Sequence, residues 1–180
     1  MATTIEEIKK FLDEEELQYN HDTGDKYIRT GFKTEHYQTT DGRSSLRIII
    51  DLLEDGEFIK FMAPKAYVMP KDASSFHKMA LFQTLLQISW NTKMVQFEYD
   101  PDDGEIRAII EFPLEDAPLT QRQMRRCLMA LANIIDDYHT KITDAIQSGI
   151  TLESEKEERS AFEEFQRQRR EQRRSELGEA

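Results

Sequence analysis

The first residues carry a helix-start pattern followed by apolar residues at helical spacing. Thr3 or Thr4 precedes Glu6 or Glu7 by three positions, which is the spacing of a capping box. We predict a helix that ends near Glu16 and whose single apolar stripe packs against the hydrophobic core. That stripe consists of Ile5, Ile8, Phe11 and Leu12.

The hydrophobic period changes to that of strands over residues 30–64. Two Asp-Gly dipeptides, at 41–42 and 55–56, provide the positive-φ residues that tight hairpin turns need. We therefore predict a meander of three strands. Its middle strand, 46–53, holds three successive isoleucines, which indicates that both of its faces are covered.

A second helix is predicted from the cap residues at 72–75 to about Asn91, after Pro64 and Pro70 have ended the sheet. It carries too many apolar residues for a narrow stripe, so we expect a wide buried face or a surface shared with another subunit. These residues are Phe76, Met79, Ala80, Leu81, Phe82, Leu85, Leu86, Ile88 and Trp90.

A second hairpin and a last helix follow. Residues 95–99 and 106–112 alternate apolar and polar positions around a turn at 101–104. Thr120 and Gln123 form another capping box. The helix that starts there lies on the sheet or pairs as a coiled coil. Its apolar seam comprises Met124, Leu128, Leu131, Ile135, Tyr138, Ile142 and Ala145.

The order of elements is therefore helix, three strands, helix, two strands, helix, and then a polar helical C-terminal tail. This order predicts an α+β fold in which helices pack on one face of an antiparallel sheet of about five strands. We expect one domain over residues 1–148 and a charged helical or disordered tail over residues 149–180.

Composition and charge argue against several classes of function, in particular binding to nucleic acids and to membranes. The 180 residues suffice for one core, and 35 acidic against 24 basic residues give a net charge of −11. Such a surface repels nucleic acids and anionic membranes. No stretch reaches the ~18 apolar residues of a membrane span. We therefore expect a soluble, cytoplasmic protein without a membrane partner.

The tail separates into an acidic block and a basic block. Glutamates dominate 153–164, whereas five arginines fall within eight positions. These arginines could bind RNA, DNA or an acidic protein, or they could line a solvated helix. The apolar pair Phe162 and Phe165 could dock on the body or on a partner. The basic block consists of Arg167, Arg169, Arg170, Arg173 and Arg174.

The sequence contains few candidate catalytic or metal-binding residues. The acidic run at 100–105 places Gly104 one position too early for an EF-hand loop. Asp136, Asp137 and His139 do not converge on one substrate atom and lack a nucleophile. The single cysteine, Cys127, lies on the apolar side of the last helix and is predicted to be packed and unreactive. We predict no enzymatic activity, no metal and no cofactor.

Several local patterns between residues 85 and 142 carry further information. They are the helix end with Leu85, Leu86 and Asn91, the strand 94–100, the turn Asp103-Gly104, the strand 106–112 ending at Pro113, and Leu119-Thr120. Together with the layout, these patterns resemble the YbjN-like family, whose fold is that of class I type III secretion chaperones. The resemblance implies a small chaperone-like domain, often a homodimer, that handles another protein. It covers residues 4–147.

Two functional hypotheses follow. The first is a non-enzymatic, chaperone-like or regulatory module that engages a protein client of unknown identity. Its client-binding or dimer surface would consist of Phe76, Met79, Phe82, Leu86 and Trp90. The alternative is regulatory binding of nucleic acid or an acidic partner through the arginines of the tail, with Phe162 and Phe165 beside them.

Overall fold

The computed structural model describes residues 2–22, 24–25, 27–115 and 117–152. Within them the fold is α+β, as predicted, with six strands and four α-helices. In chain order the elements are α1 (Ile5–Glu14), β1 (Tyr19–Asn20), β2 (Tyr27–Lys33), β3 (Ser45–Leu53), β4 (Phe58–Val68), α2 (Ser75–Asn91), β5 (Gln96–Tyr99), β6 (Glu105–Pro113), α3 (Gln121–Asp137) and α4 (His139–Ser148).

The strands form one antiparallel sheet in the order β1-β2-β3-β4-β6-β5. The sixth strand, absent from the sequence prediction, is the two-residue β1, which pairs with Arg29 and Thr30 of β2. Two residues are too few to show a period-two pattern, so the sequence carries no signal for this strand. Strand β2 also begins at Tyr27, three residues earlier than predicted.

Pro64 does not end the sheet, contrary to the prediction. Strand β4 continues to Val68 through an irregular register between Ala63 and Tyr67, which is a β-bulge. A bulge tolerates proline because its residues leave the hydrogen-bonded ladder. Lys65, at the centre of the bulge, adopts a positive φ of 48°. Its amide donates to Glu105 Oε1 at 2.9 Å, which fixes the bulge to β6.

The last helix is broken, whereas the apolar seam predicted one continuous element. Tyr138 leaves helical geometry, with φ −99° and ψ 4°, and separates α3 from α4. Ile142 and Ala145 of α4 are nevertheless fully buried. The seam therefore stays buried on both sides of the break.

The helices cover one face of the sheet. Helix α3 contacts β4 and β6, and α2 contacts β5 and packs on α4. Alternate residues of the central strands join the helices in a single apolar core, which also includes Ile8 and Leu12 of α1. The sheet residues in this core include Ile28, Leu46, Ile48, Ile50, Ile59, Phe61, Ala63, Ile106, Ala108 and Ile110.

None of the helices in the described ranges is both long enough and apolar enough to cross a bilayer. The predicted tail beyond Leu152 lies outside the described residues.

Candidate functional site

Helix α2 has two apolar faces, which explains its unusual composition. The inner face is buried against β5, α4 and the core, and Leu81 and Ile88 are fully inaccessible to solvent. Thr84, also on this face, is fully buried. These residues alone would give α2 an ordinary amphipathic pattern.

The outer face exposes four large apolar side chains. The exposed fraction is 66% for Phe76, 69% for Met79, 71% for Leu86 and 88% for Trp90. Gln83, which is also exposed, lies between Met79 and Leu86. Steps of three and four residues place all five side chains in one line along the helix. We call Phe76, Met79, Gln83, Leu86 and Trp90 the α2 stripe.

Phe82 belongs to the predicted surface only in part. It is half-buried, and its ring meets the edge of the Tyr99 ring on β5 with centroids 5.0 Å apart. Phe82 thereby forms the floor of a shallow apolar groove beside the α2 stripe. The groove is lined by Ser75, Lys78, Met79, Phe82, Gln83 and Leu86.

The chain around the α2 stripe is almost free of charge. No aspartate or glutamate occurs between residues 73 and 97, and Lys78 and Lys93 are the two lysines in that interval. In the whole chain, by contrast, 33% of the residues are charged. A partner that contacts this interval therefore meets no acidic side chains within it and desolvates few charges.

The N-terminal end of the α2 stripe is held in place by local contacts. The Ser74 hydroxyl caps α2 by accepting the amide of His77. The Phe76 ring lies against Gly149, just after α4, so close that a Cβ at position 149 would come within 2.2 Å of the ring and displace it. Phe76 is thus positioned by the fold although most of its surface faces solvent.

Asp136 lies near the end of α3, where its carboxylate accepts three backbone amides. Glu35, His36 and Tyr37 donate to it at 2.9, 2.8 and 2.7 Å. Desolvation alone would raise the pKa of Asp136, but the three amides outweigh it and the pKa lies below its usual value. The carboxylate therefore anchors the loop after β2, and its oxygens are occupied.

His139, at the start of α4, packs between two tyrosine rings. Its ring is edge-on to Tyr37 and stacked with Tyr67, at centroid distances of 5.3 and 5.8 Å. The Tyr67 hydroxyl donates to the Ile135 carbonyl at 3.2 Å. Burial lowers the pKa of His139 despite the opposing charge of Asp136. This cluster joins α3, α4 and the sheet, and we assign it to packing.

In the acidic turn between β5 and β6, two carboxylates accept hydrogen bonds from nearby backbone amides. Asp100 accepts the amide of Asp102 at 2.8 Å, and Asp103 accepts the amide of Glu105 at 3.0 Å. Asp103 also pairs with Lys65 at 3.3 Å. In the described part of the chain, no group of three or more histidine, cysteine, aspartate or glutamate side chains is arranged to hold a metal ion.

Cys127 is fully buried on α3, as predicted. Burial raises the pKa of its thiol to about 12, so the thiol stays protonated at neutral pH. It packs as a small apolar side chain.

The predicted tail residues lie outside the described residues. They are Phe162, Phe165, Arg167, Arg169, Arg170, Arg173 and Arg174.

Known families and curated proteins provide no match to this chain. Among solved structures, the crystal structure of an uncharacterized protein from Methanothermobacter thermautotrophicus is similar to it. The two chains are 18% identical, the match covers 78% of this chain and 97% of the other, and the TM-score is 0.48.

Sequence reasoning found the apolar excess of α2 but missed the anchor at Asp136. A signal for it exists. Two aspartates, Asp136 and Asp137, end α3, where the helix dipole disfavours negative charge. An acidic pair at that position indicates a local partner that compensates for the cost.

Proposed function

We propose that this protein is a non-enzymatic, chaperone-like module that binds other polypeptides, and that the α2 stripe is its binding surface. One observation carries the proposal: four large apolar side chains on one helix are each about two-thirds exposed or more. Continuous apolar patches of this kind on soluble proteins usually mark interaction sites. The resemblance to the YbjN-like family and a cytoplasmic location are parts of the same proposal.

The chemistry of the α2 stripe suits a client of variable sequence. Met79 has a flexible, polarizable side chain that adapts to different partners, and Trp90 offers a large flat surface. Gln83 supplies an amide that can donate and accept hydrogen bonds. The groove beside Phe82 adds a shallow receptor for one apolar side chain. Such a surface favours apolar segments over charged ones.

Suppression of aggregation tests this function. A thermally unfolded reporter enzyme is mixed with the full chain, and light scattering is followed. We expect the native chain to lower the scattering and the double variant Leu86→Glu, Trp90→Glu to lose most of that effect, because two carboxylates would be desolvated on client binding.

The matched control is Met129→Glu, an apolar-to-acidic change at an exposed position of α3. Met129→Glu should suppress aggregation as well as the native chain does. Equal suppression by the double variant and the native chain would contradict the proposal.

Trp90 provides a second, direct readout. It is the one tryptophan of the chain and is 88% exposed. When an amphipathic probe peptide covers the α2 stripe, the fluorescence emission of Trp90 should shift to shorter wavelength. An unchanged emission at saturating peptide would place the binding surface elsewhere.

Binding of nucleic acid or an acidic partner through the tail arginines stays a prediction from the sequence. Affinity from five phosphate contacts should fall steeply with salt and disappear when the chain is truncated after Phe165.

A further inference from the structure

A cleft opens at one end of the sheet, where the neighbouring strands β3 and β4 separate. Their pairing ends at Ile49 and Met62, although β3 begins at residue 45 and β4 continues to residue 68. Continued pairing would place Arg47 opposite Pro64, which has no amide hydrogen to donate, and the β-bulge of β4 follows directly. We call the space between the two strands the β3–β4 cleft.

The loop after β2 forms the floor of the β3–β4 cleft. The Tyr37 hydroxyl donates to the Ala66 carbonyl of β4 at 3.0 Å, and Tyr37 is only 3% exposed. The loop is fixed to α3 by the three backbone amides that donate to Asp136. The cleft has a volume of about 420 Å³, within the range of about 300 to 1,000 Å³ that is typical of small-molecule sites.

The β3–β4 cleft is cationic, although the chain carries a net charge of −11. Arg43, Arg47 and Lys65 line it, against the single carboxylate of Asp41. Arg43 forms an ion pair with Asp41, and Lys65 pairs with Asp103 at 3.3 Å. The cleft therefore attracts anions that the acidic surface elsewhere repels.

Arg47 contributes the unbalanced charge. Among the described residues, no carboxylate forms an ion pair with its guanidinium. Burial raises the pKa of Tyr37, and the charge of Arg47 opposes that rise, so the guanidinium acts on the floor of the cleft. Gly31 lies opposite Arg47 on β2 and has no side chain that would cover it.

The other lining groups supply hydrogen-bond donors. The hydroxyls of Thr40 and Ser45 line the cleft and have no hydrogen-bond partner in the described part of the chain. Arg43 uses Nε and Nη2 to hold Asp41, which leaves its Nη1 group available. Hydrogen bonds from Arg43 and Thr39 lower the pKa of Asp41 to about 2, so this ion pair persists at neutral pH. Available donors therefore outnumber available acceptors.

We infer that the β3–β4 cleft binds a phosphoryl group, either as free phosphate or as part of a small phosphorylated molecule. A phosphoryl group offers three acceptor oxygens and a charge near −2, which suit Arg47, the free Nη1 of Arg43 and the two hydroxyls better than the two oxygens of a carboxylate do. A long polyanion such as nucleic acid would also meet the acidic surface around the cleft. The inference goes beyond the proposed function, because the cleft shares no residue with the α2 stripe.

Isothermal titration calorimetry of the full chain tests the inference. Phosphate, pyrophosphate and ADP are titrated separately at low ionic strength in a phosphate-free buffer. We expect saturable binding that weakens as salt is added. Malonate, a dicarboxylate, should bind at least about tenfold more weakly than pyrophosphate. Tighter binding of ADP than of pyrophosphate would identify a phosphorylated molecule as the source, whereas equal affinities for all three anions would identify free phosphate.

Two substitutions at exposed positions of β3 locate the site. Arg47→Gln should weaken pyrophosphate binding at least about tenfold, because it removes the cation that has no carboxylate partner. Ser45→Ala should weaken it by about two- to fivefold, because one neutral donor is lost. Arg126→Gln is the matched control, since Arg126 is exposed on α3 and does not line the cleft. It should bind like the native chain, and circular dichroism checks that all three variants fold.

Each of three outcomes would overturn the inference: no binding of any of the three phosphoryl anions at millimolar concentration, unchanged affinity in both Arg47→Gln and Ser45→Ala, or malonate binding as tight as that of pyrophosphate. The last result would mean that the cleft attracts negative charge without recognising a phosphoryl group. The proposed function is tested separately, because Arg47→Gln should suppress aggregation of the reporter enzyme as well as the native chain does.

Discussion

Gly104 lies where the turn between β5 and β6 passes directly beside the end of β4. Its carbonyl accepts the amide of Met69 at 2.9 Å, and its φ is 78°. A Cβ at this position would come within 2.1 Å of the Met69 carbonyl oxygen. Both the conformation and the space at residue 104 therefore require glycine.

We predict that Gly104→Ala lowers the free energy of unfolding by about 3 kcal/mol or more, since it combines a left-handed backbone with a backbone collision. Gly42→Ala is the matched control, because Gly42 has a φ of 79° with no atom within 4 Å of the added Cβ. It should lose only about 1 kcal/mol. Urea denaturation measures both, and equal losses would show that the contact with Met69 relaxes freely.

Asp136 supports a second residue-scale prediction. Asp136→Ala should lower the free energy of unfolding by about 1 to 2 kcal/mol at neutral pH. The loss is smaller than for a fully buried carboxylate, because solvent reaches the site and screens its charge. Since its folded pKa lies below its unfolded value, the contribution is present above about pH 3.9 and is lost as the pH falls through the folded pKa.

Asp137→Ala, at the exposed neighbouring position, is the control for Asp136→Ala and should change stability little. Chemical denaturation from about pH 7 down to about pH 3 measures the three proteins across the range in which the carboxylate titrates. The role of the carboxylate would be contradicted if the difference in free energy of unfolding between the native chain and Asp136→Ala were as large at about pH 3 as at about pH 7.

At the scale of the element, α2 shows that one helix can present one apolar face to the core and a second apolar face to solvent. Its buried and exposed apolar residues occupy opposite sides of the helix. The sequence therefore shows no polar face that would distinguish the buried side from the exposed side. The two faces should differ in what they stabilise. We expect the inner face to stabilise the fold and the exposed α2 stripe to contribute little to the stability of the monomer.

The same substitution on the two faces makes this difference measurable. Leu81→Ala should lower the free energy of unfolding by about 2 to 5 kcal/mol, because Leu81 is fully buried. Leu86→Ala should change it by no more than about 0.5 kcal/mol, because Leu86 is 71% exposed. The comparison is made at the lowest protein concentration that gives a signal. Similar losses in the two variants would mean that Leu86 also stabilises the monomer.

At the scale of the whole molecule, Thr3 connects three parts of the chain that are distant in sequence. Its amide donates to the Gly56 carbonyl at 3.0 Å, and its hydroxyl accepts the amide of Leu119 at 2.7 Å. Thr3 is itself only 2% exposed. The N-terminal residues thus tie the β3–β4 turn to the start of α3.

We predict that Thr3→Val lowers the free energy of unfolding by about 1 to 3 kcal/mol, because the buried Leu119 amide loses its acceptor while the shape of the side chain is kept. Thr3→Ser retains the hydroxyl and should recover most of the loss. Thermal unfolding with both variants is the measurement. A Thr3→Val protein as stable as the native chain would show that water replaces the hydroxyl.

Local signals predicted the elements whose residues interact with near neighbours. The capping boxes at Thr4 and Thr120 form as expected, because cap and partner are three residues apart. The continuation of β4 past Pro64 was missed, because the bulge depends on Glu105, forty residues away from Lys65. The break at Tyr138 is not visible in the apolar seam either, because the seam stays buried on both sides of it.

By itself, the sequence determined the α+β class, the antiparallel arrangement and the excess of apolar residues on α2, because these follow from periodicity, turn residues and composition within short windows. Only the tertiary structure decided which α2 residues are core and which form the α2 stripe. The reason is physical: a helix that is apolar all round has no preferred face until the sheet and α4 cover one side of it. What remains exposed after that packing is the surface on which the proposed function depends.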